Sequence, residues 1–239
     1  MAITLLRQAD GRYGLSENGA ELGSIIPYRN SFHSGNCYLR LELRRYPLGQ
    51  ARDLFSRLRR ELGGPLQVMA ASPDTKLIAF LRAGDFQRRR RCAERNVARA
   101  DLASPLERTL PLEAVFRGTP KYDACCSLLY RYYAATHASV NPLTATPDMF
   151  ARQLPETALC PAREEGMSHC AFVEENEIAY VATRDPAEVS EFVRAVAGYC
   201  FQRYDTITFE CDDCDPAAMA LSALFPGGWD VTWDTYVLP

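Results

Sequence analysis

Residues 66–73, LQVMAASP, and residues 206–216, TITFECDDCDP, decide the fold, because each leads from a short strand into the start of a helix. The first segment is an apolar run typical of a buried strand, and the second is also predicted as a strand. Each ends in a polar residue followed by proline, Ser-Pro at 72–73 and Asp-Pro at 215–216. A polar N-cap followed by proline in the first turn is a signal for the start of a helix. The two segments therefore predict two equivalent strand-to-helix junctions.

Outward from these segments, the same order of elements occurs in each half of the chain. The first half is predicted as strand 36–47, helix 50–62, strand 66–71, a helix after residue 73 and strand 87–97, and the second half as strand 177–183, helix 187–204, strand 206–211, a helix after residue 216 and strand 229–238. In both halves 13 residues separate the proline at the helix start from the aromatic residue beyond the helix, Phe86 or Trp229. We interpret this repeat as a duplication. Each unit is expected to hold a parallel strand pair with a right-handed crossover and a final antiparallel strand, which gives a mixed sheet.

The segment between the two repeats is predicted to be a connection. Residues 110–121, LPLEAVFRGTPK, carry proline and glycine, and they predict a division into a domain of residues 1–112 and a domain of residues 113–239. The second domain opens with two predicted helices, at 122–136 and 147–154, which the first domain lacks.

Composition indicates a globular protein. Of 239 residues, 47% are hydrophobic and 24% charged, which argues against disorder. No apolar run approaches the roughly 18 residues of a membrane span, and the first residues lack the pattern of a signal peptide. The nine cysteines are odd in number and scattered, as expected of free thiols. We therefore expect a cytoplasmic protein without a membrane partner.

Charge is distributed unevenly along the chain. Residues 1–120 contain 20 Lys or Arg against 12 Asp or Glu, whereas residues 121–239 contain 7 against 18. A basic half is one sign of a nucleic-acid partner. However, the basic residues are dispersed apart from the run 88–91, which we place in an edge strand, and no stacking aromatics are interleaved with them. We therefore predict no nucleic-acid partner.

The order of elements resembles that of the GNAT (GCN5-related N-acetyltransferase) family. Residues 76–94, KLIAFLRAGDFQRRRRCAE, resemble the passage from the last helix of such proteins into a strand. Residues 206–225 together with WDTYVL at 233–238 resemble the end of a second copy, and the two helices before it resemble the family's opening helices. The resemblance implies an α/β (α+β) fold made of two GNAT-like units. Each is a mixed β-sheet with a strand-helix-strand-helix-strand core, and the first unit is incomplete.

The family binds the pyrophosphate of acetyl-CoA on the backbone N–H groups of an Arg/Gln-x-x-Gly-x-Gly/Ala loop that leads into a helix. The second loop, TRDPAEV at 183–189, has no glycine, and it carries acidic residues and a proline where donors are needed. The first loop, RRYPLGQA at 44–51, matches the end of the motif but has tyrosine at the Arg/Gln position, and its alternative interpretation is an ordinary strand-to-helix turn. The resemblance implies these candidate contacts to acetyl-CoA as co-substrate: Arg45, Gly49, Gln50, Ala51 and Arg184.

Candidates for proton transfer also follow from the resemblance. GNAT enzymes often use a tyrosine near the end of the last helix, but neither LIAFLRA nor LSALFPG contains one. The family needs a base near the central strands, and Glu210 is the candidate, with Tyr180 and Tyr236 as candidate proton donors. The alternative for each is a structural role.

A metal site receives little support from the sequence. Cys211 and Cys214 form a CxxC pair, and with Cys170 and His169 they could provide four metal ligands if the fold brought them together. A specific zinc motif has a second CxxC pair, which this sequence lacks. We predict no metal. His33, His137 and His169 are expected to be loop or cap residues.

The sequence thus favours an acetyl-CoA-dependent N-acetyltransferase acting on a small amine. The alternatives are a catalytically silent, GNAT-derived binding module and a nucleic-acid-binding accessory protein. The sequence leaves the oligomeric state open.

Overall fold

The computed structural model describes residues 3–106, 110–162 and 166–239. The chain folds into two compact units that interleave along the sequence. Unit 1 comprises Met1–Arg91, Ser139–Thr144 and Trp233–Pro239, and unit 2 comprises Cys92–Ala138 and Ala145–Thr232. The division into a domain of residues 1–112 and a domain of residues 113–239 remains a prediction. In the part of the chain that the structure describes, no helix is long and apolar enough to cross a membrane.

Unit 1 contains two helices and the strands on which they pack. Its elements are β1 (Ile3–Arg7), β2 (Tyr13–Glu17), β3 (Ala20–Tyr28), β4 (Cys37–Leu43), a 3-10 turn (Leu48–Gln50), α1 (Ala51–Leu62), β5 (Leu66–Ala71), α2 (Thr75–Ala83), the first part of β6 (Gln87–Ala98) and β12 (Trp233–Leu238). Helix α1 follows its predicted range and ends at Gly63, whose φ of 67° lets its N–H cap the carbonyl of Arg59. The predicted cap of α2 at Ser72 is wrong. Asp74 is the N-cap, and its carboxylate accepts the N–H of Leu77 at 3.0 Å.

The sheet of unit 1 has the order β1-β2-β3-β4-β5-β12, in which only β4 and β5 are parallel. These two strands pair at Cys37 with Leu66 and at Tyr38 with Gln67, with no further paired positions toward their carboxyl ends. The strands therefore separate there. The core of unit 1 includes Phe55, Phe80 and Phe86, whose rings pack 4.8–5.0 Å apart around Phe55.

Among the residues that the structure describes, unit 2 contains four helices and the remaining strands. Its elements are the second part of β6, a 3-10 turn (Arg99–Asp101), β7 (Leu112–Phe116), α3 (Pro120–Thr136), α4 (Pro147–Ala151), β8 (Thr157–Pro161), β9 (His169–Glu174), β10 (Glu177–Thr183), α5 (Val189–Cys200), β11 (Thr206–Asp212) and α6 (Pro216–Ser222). The predicted connection at 110–121 instead contains β7, which pairs with β8 from Leu112 to Phe116. Strands β8 and β9 were not predicted.

The sheet of unit 2 has the order β6-β11-β10-β9-β8-β7, and only β10 and β11 are parallel. Their single paired position is Glu177 with Thr208, so these strands also separate toward their carboxyl ends. The two units thus repeat the predicted parallel pair, and the fold is the predicted α/β arrangement with a mixed sheet in each unit.

The final strands of the two repeats are exchanged. Strand β12 follows the helices of the second repeat, yet it pairs antiparallel with β5 from Trp233–Ala71 to Leu238–Leu66. Cys92–Ala98 of β6 pairs antiparallel with β11. The antiparallel direction was predicted, but each strand joins the other repeat. The expected edge position of the run 88–91 is also wrong, because β6 lies between β12 and β11 in the strand order.

Candidate functional site

Each unit contains an opening between its two parallel strands. Beyond Tyr38 and Gln67 in unit 1, and beyond Glu177 and Thr208 in unit 2, the paired positions between the strands end. Backbone groups that leave a ladder need other partners, which a ligand with amide groups can provide. The loop at residues 44–51 follows β4, and the loop at residues 183–189 begins at the end of β10. These are the two loops compared above with the acetyl-CoA loop of the GNAT family.

The loop of unit 1 presents an uncapped helix start. The 3-10 turn runs directly into α1, and neither N-cap residue, Pro47 or Gln50, makes a side-chain capping hydrogen bond. Gly49 is exposed, its φ lies outside the left-handed region, and a Cβ built there meets nothing within 4 Å. The backbone at Gly49 is therefore open to an anion from outside, and the positive end of the α1 dipole favours one.

Arginines surround this loop, and two of them are already paired. Arg45 forms an ion pair with Glu17, a buried residue of β2. Arg52 pairs with Asp85 at 2.7 Å. The side chains of Arg45 and Arg52 are 61% and 72% exposed, so solvent screens both pairs and a second anion can still reach the guanidinium groups.

The other two predicted acetyl-CoA contacts of this loop are Gln50 and Ala51. The N–H of Gln50 donates to the carbonyl of Pro47 at 3.1 Å, and the N–H of Ala51 donates to the carbonyl of Leu48. The Ala51 side chain is fully buried in the core of unit 1. Its small size therefore lets α1 approach the sheet closely.

The loop of unit 2 is capped by its own side chains. Asp185 accepts the N–H of Ala187 at 2.9 Å through its carboxylate, and its carbonyl accepts the N–H of Glu188 at 3.2 Å. Thr183 Oγ1 accepts the N–H of Asp185 at 3.0 Å. These bonds use backbone donors that an anion would need, and the carboxylate places negative charge at the same point. Arg184 is exposed in this loop.

A cavity of about 800 Å³ lies at the carboxyl ends of β10 and β11 in unit 2. Its lining comes from α3 and from the residues after each of the two strands: Leu128, Arg131, Tyr132, Ala135, Thr136, Thr183, Arg184, Pro186, Cys214 and Pro216. The Tyr132 hydroxyl donates to the carboxylate of Asp215, which also accepts the N–H groups of Ala217 and Ala218. Burial raises the pKa of both Tyr132 and Asp215 above their ordinary values.

Tyr180 and Glu210 come together in unit 2. Burial raises the pKa of Tyr180, and the nearby carboxylate of Glu210 raises it further. Tyr180 also packs edge-on against Tyr133, with ring centroids 6.4 Å apart. Glu210 is exposed on β11, where it lies opposite Glu94.

Tyr236 lies in unit 1. It is 1% exposed on β12, opposite Val68, and its hydroxyl has no hydrogen-bond partner among the residues that the structure describes. The predicted site residues thus divide between the units: unit 1 holds Arg45, Gly49, Gln50, Ala51 and Tyr236, and unit 2 holds Tyr180, Arg184 and Glu210.

The metal set considered in the sequence is not assembled. His169 lies on β9 and not in a loop, where its Nδ1 contacts Thr183 Oγ1 at 2.9 Å. Cys211 points its sulfur at the carbonyl of Ala218 at 3.6 Å. A different set, His137, Asp212 and Cys214, places one ligand atom from each residue within 4.8 Å of the others. His137 does cap a helix, as predicted, but no spacing in the sequence connects it with residues 75 positions later.

Comparison with known proteins identifies the fold. No family model and no curated protein matches the chain. A GCN5-related N-acetyltransferase from Sphaerobacter thermophilus is similar at 10% identity and a TM-score of 0.54, with 95% of this chain and 80% of that chain covered. A conserved protein of unknown function from Enterococcus faecalis V583 is similar at 12% identity and a TM-score of 0.51, with 95% of this chain and 61% of that chain covered. This chain thus spans only 61% of the Enterococcus protein's length.

A tandem GNAT protein from the clavulanic acid biosynthesis pathway aligns at 13% identity and a TM-score of 0.48, over 99% of this chain and 83% of that chain. Such low identities bear on fold alone. The chain therefore shares the fold of the GCN5-related N-acetyltransferase structure.

Proposed function

We propose that the protein is an acetyl-CoA-dependent N-acetyltransferase for a small amine, and that unit 1 binds acetyl-CoA. The observation that carries this proposal is the start of α1 without a side-chain cap, in the loop that follows β4 where β4 separates from β5. A pyrophosphate at Gly49 would meet open backbone, the helix dipole and three exposed arginines, Arg44, Arg45 and Arg52. The matching loop of unit 2 is less suitable, because the Asp185 carboxylate accepts the N–H of Ala187 and places negative charge at that point.

The reaction requires little covalent chemistry from the protein. Acetyl-CoA, when bound, supplies a thioester, on whose carbonyl the neutral amine attacks; a C–N bond forms, the C–S bond breaks, and the amine loses one proton while the thiolate gains one. Tyr236 is the proposed proton donor in unit 1, where its hydroxyl lacks a partner among the described residues. Glu210 and Tyr180 are the candidate base and proton donor for the alternative in which unit 2 binds acetyl-CoA.

The test is calorimetric titration of acetyl-CoA into the full chain and three variants. Gly49→Asp places a carboxylate at the proposed pyrophosphate position without a steric clash. Arg184→Glu replaces the basic side chain of the loop in unit 2 with an acidic one. Gly228→Asp is the matched control, because Gly228 is also exposed, has an ordinary φ and has open space around its Cβ position.

We expect the wild type and the Gly228→Asp variant to bind alike, and the Gly49→Asp variant to bind at least about tenfold more weakly, which corresponds to ~1.4 kcal/mol. Loss of binding only in Arg184→Glu would move the cofactor to unit 2, beside Tyr180 and Glu210. If the folded wild type does not bind acetyl-CoA, the enzyme proposal fails and the GNAT-derived binding module takes its place.

A further inference from the structure

We propose that His137, Asp212 and Cys214 of unit 2 form a binding site for a Zn²⁺ ion. The three residues offer one nitrogen, one oxygen and one sulfur ligand, a mixed set that suits Zn²⁺ better than Mg²⁺ or Ca²⁺. One ligand atom from each lies within 4.8 Å of the other two. The proposal concerns unit 2 alone and does not depend on where acetyl-CoA binds.

Three separate pieces of backbone bring these ligands together. His137 is the C-cap residue of α3, Asp212 is the last residue of β11, and Cys214 lies in the turn that leads into α6. His137 is 5% exposed and Asp212 is 9% exposed, whereas Cys214 is partly exposed. The rigid ends of a helix and a strand therefore hold two ligands, and the third lies toward solvent.

The hydrogen bonds of His137 fix which ring nitrogen faces the site. Its Nδ1 lies 3.2 Å from the carbonyl of Tyr133, which can only accept, so this hydrogen bond forms when Nδ1 carries the proton. The ring also stacks on Tyr133, with centroids 4.0 Å apart. A bond from one ring nitrogen to a backbone carbonyl is the usual way in which proteins orient a metal-binding histidine. Nε2 is left to bind a cation.

The contact between His137 and Asp212 has the spacing of two metal ligands. Nε2 lies 3.2 Å from Asp212 Oδ2. Two ligands about 2.0–2.1 Å from a tetrahedral Zn²⁺ are separated by roughly 3.3 Å. If Nε2 carries no proton, two acceptors face each other at this distance in a buried place, which is unfavourable unless a cation lies between them. A hydrogen bond from a protonated Nε2 to the Asp212 carboxylate, from a neutral or a charged imidazole, is the competing arrangement, and the experiment below distinguishes it from a metal site.

A Cys-His-Asp catalytic triad fits the same residues less well. In a triad the nucleophile and the carboxylate use opposite nitrogens of the histidine. Here Nε2 faces Asp212, while Nδ1 is occupied by the Tyr133 carbonyl and by Thr136 Oγ1 at 3.0 Å. The carboxylate and the histidine instead converge on one region together with Cys214, as metal ligands do.

The position of the site gives the cation a route to solvent. Cys214 lines the cavity of about 800 Å³ at the ends of β10 and β11, as does Thr136 beside His137. Zinc sites with three protein ligands keep a further position for water or another ligand. On binding, the thiol of Cys214 loses its proton to solvent and the resulting thiolate coordinates the ion.

The test is titration of the reduced full-length protein with Co²⁺, a spectroscopic substitute for Zn²⁺, followed by competition with Zn²⁺. Cys214→Ser is the main variant because this side chain is partly exposed. His137→Gln is the second variant, and Cys211→Ser, in the same CxxC pair, is the matched control. Circular dichroism verifies the fold of each.

We expect one Co²⁺ per chain, with a thiolate-to-cobalt charge-transfer band that one equivalent of Zn²⁺ removes. The band should vanish in Cys214→Ser and persist in Cys211→Ser, and His137→Gln should bind at least about tenfold more weakly. Absence of the band in the wild type would overturn the proposal and leave a hydrogen bond between His137 and Asp212. Persistence of the band in folded Cys214→Ser, or its loss in folded Cys211→Ser, would also overturn it.

Discussion

Tyr236 carries a hydroxyl that is buried without a hydrogen-bond partner among the described residues. A buried polar group in this state costs about 1–3 kcal/mol, so such a group needs a functional or a structural reason. The sequence singled out this tyrosine as a proton donor. The structure adds its place in the core of unit 1, opposite Val68 on one of the two separating strands.

We therefore expect Tyr236→Phe to leave the free energy of unfolding unchanged or to raise it by up to about 1–3 kcal/mol, because the unsatisfied hydroxyl is removed. If Tyr236 protonates the leaving thiolate in unit 1, acetyl transfer should fall at least about tenfold, as for loss of a general acid. Chemical denaturation and a thiol-release assay measure the two effects. Tyr13→Phe, also in the core of unit 1, is the control, and its transfer rate should match the wild type. Equal rates in all three proteins would assign Tyr236 a packing role.

Among the helices and strands, the local signals of the sequence succeed where they are strong. The alternating and amphipathic segments at β10 and α1 have nearly the predicted bounds, and Asp215 caps α6 as predicted. Strands β8 and β9 were not predicted, because their sequences, TALCP and HCAFVE, do not alternate between apolar and polar residues. Both strands are buried almost throughout. Two candidate N-cap residues, Ser72 and Asp74, precede α2, and which of them caps the helix depends on the residue at which the helix begins.

The packing of α2 against α1 gives a prediction at Gly84. A Cβ there would lie 2.4 Å from Cδ2 of Phe55, a fully buried ring held between Phe80 and Phe86. Gly84→Ala should therefore lower the free energy of unfolding by about 1–3 kcal/mol, as overpacking does. Urea denaturation measures the change. Gly228→Ala, with open space around it, should change stability by less than about 0.5 kcal/mol.

The pairing of β6 with β12 gives a second prediction. Arg91 donates two hydrogen bonds, of 2.7 and 2.8 Å, to the carboxylate of Asp234, whose side chain is 2% exposed. Arg91→Leu should cost about 1.5–3 kcal/mol, because a buried carboxylate loses its bidentate partner. Arg89→Leu on the same strand is the control, since Arg89 is exposed. Similar stabilities of the two variants would show that Arg91 adds nothing to this pairing.

For the whole molecule, the repeat was readable in the sequence but the exchange of its final strands was not. The spacing between proline and aromatic residue is the same in both halves, so the two last strands look equivalent to any local pattern. Which of two equivalent antiparallel neighbours a strand joins depends on chain path and long-range contacts. The metal ligands of unit 2 were missed for the same reason, since Asp212 follows His137 by 75 residues.

The exchange predicts that unit 1 depends on residues far along the chain. A protein ending at residue 232 lacks β12, and with it the whole ladder along β5 and the buried ring of Tyr236. We expect the amides of β5 to lose hydrogen-exchange protection worth at least about 3 kcal/mol, since loss of a buried aromatic alone costs that much. Amides of β9 in unit 2 should stay protected. A chain lacking only Pro239 is the control, and unchanged protection of β5 after the longer truncation would contradict the exchange.

The exchanged strand also sets an order of events during synthesis. A ribosome makes β5 long before β12, which is one of its two neighbours in the sheet. Translation at about 5–20 residues per second leaves this edge of β5 unpaired for roughly 10–30 s, an interval in which exposed edges invite wrong pairings. The charged run at 88–91 is made soon after β5. Until Trp233–Leu238 is made, β5 of the nascent first repeat lacks its partner strand β12. A chaperone that covers exposed strand edges would therefore have its largest effect in this interval.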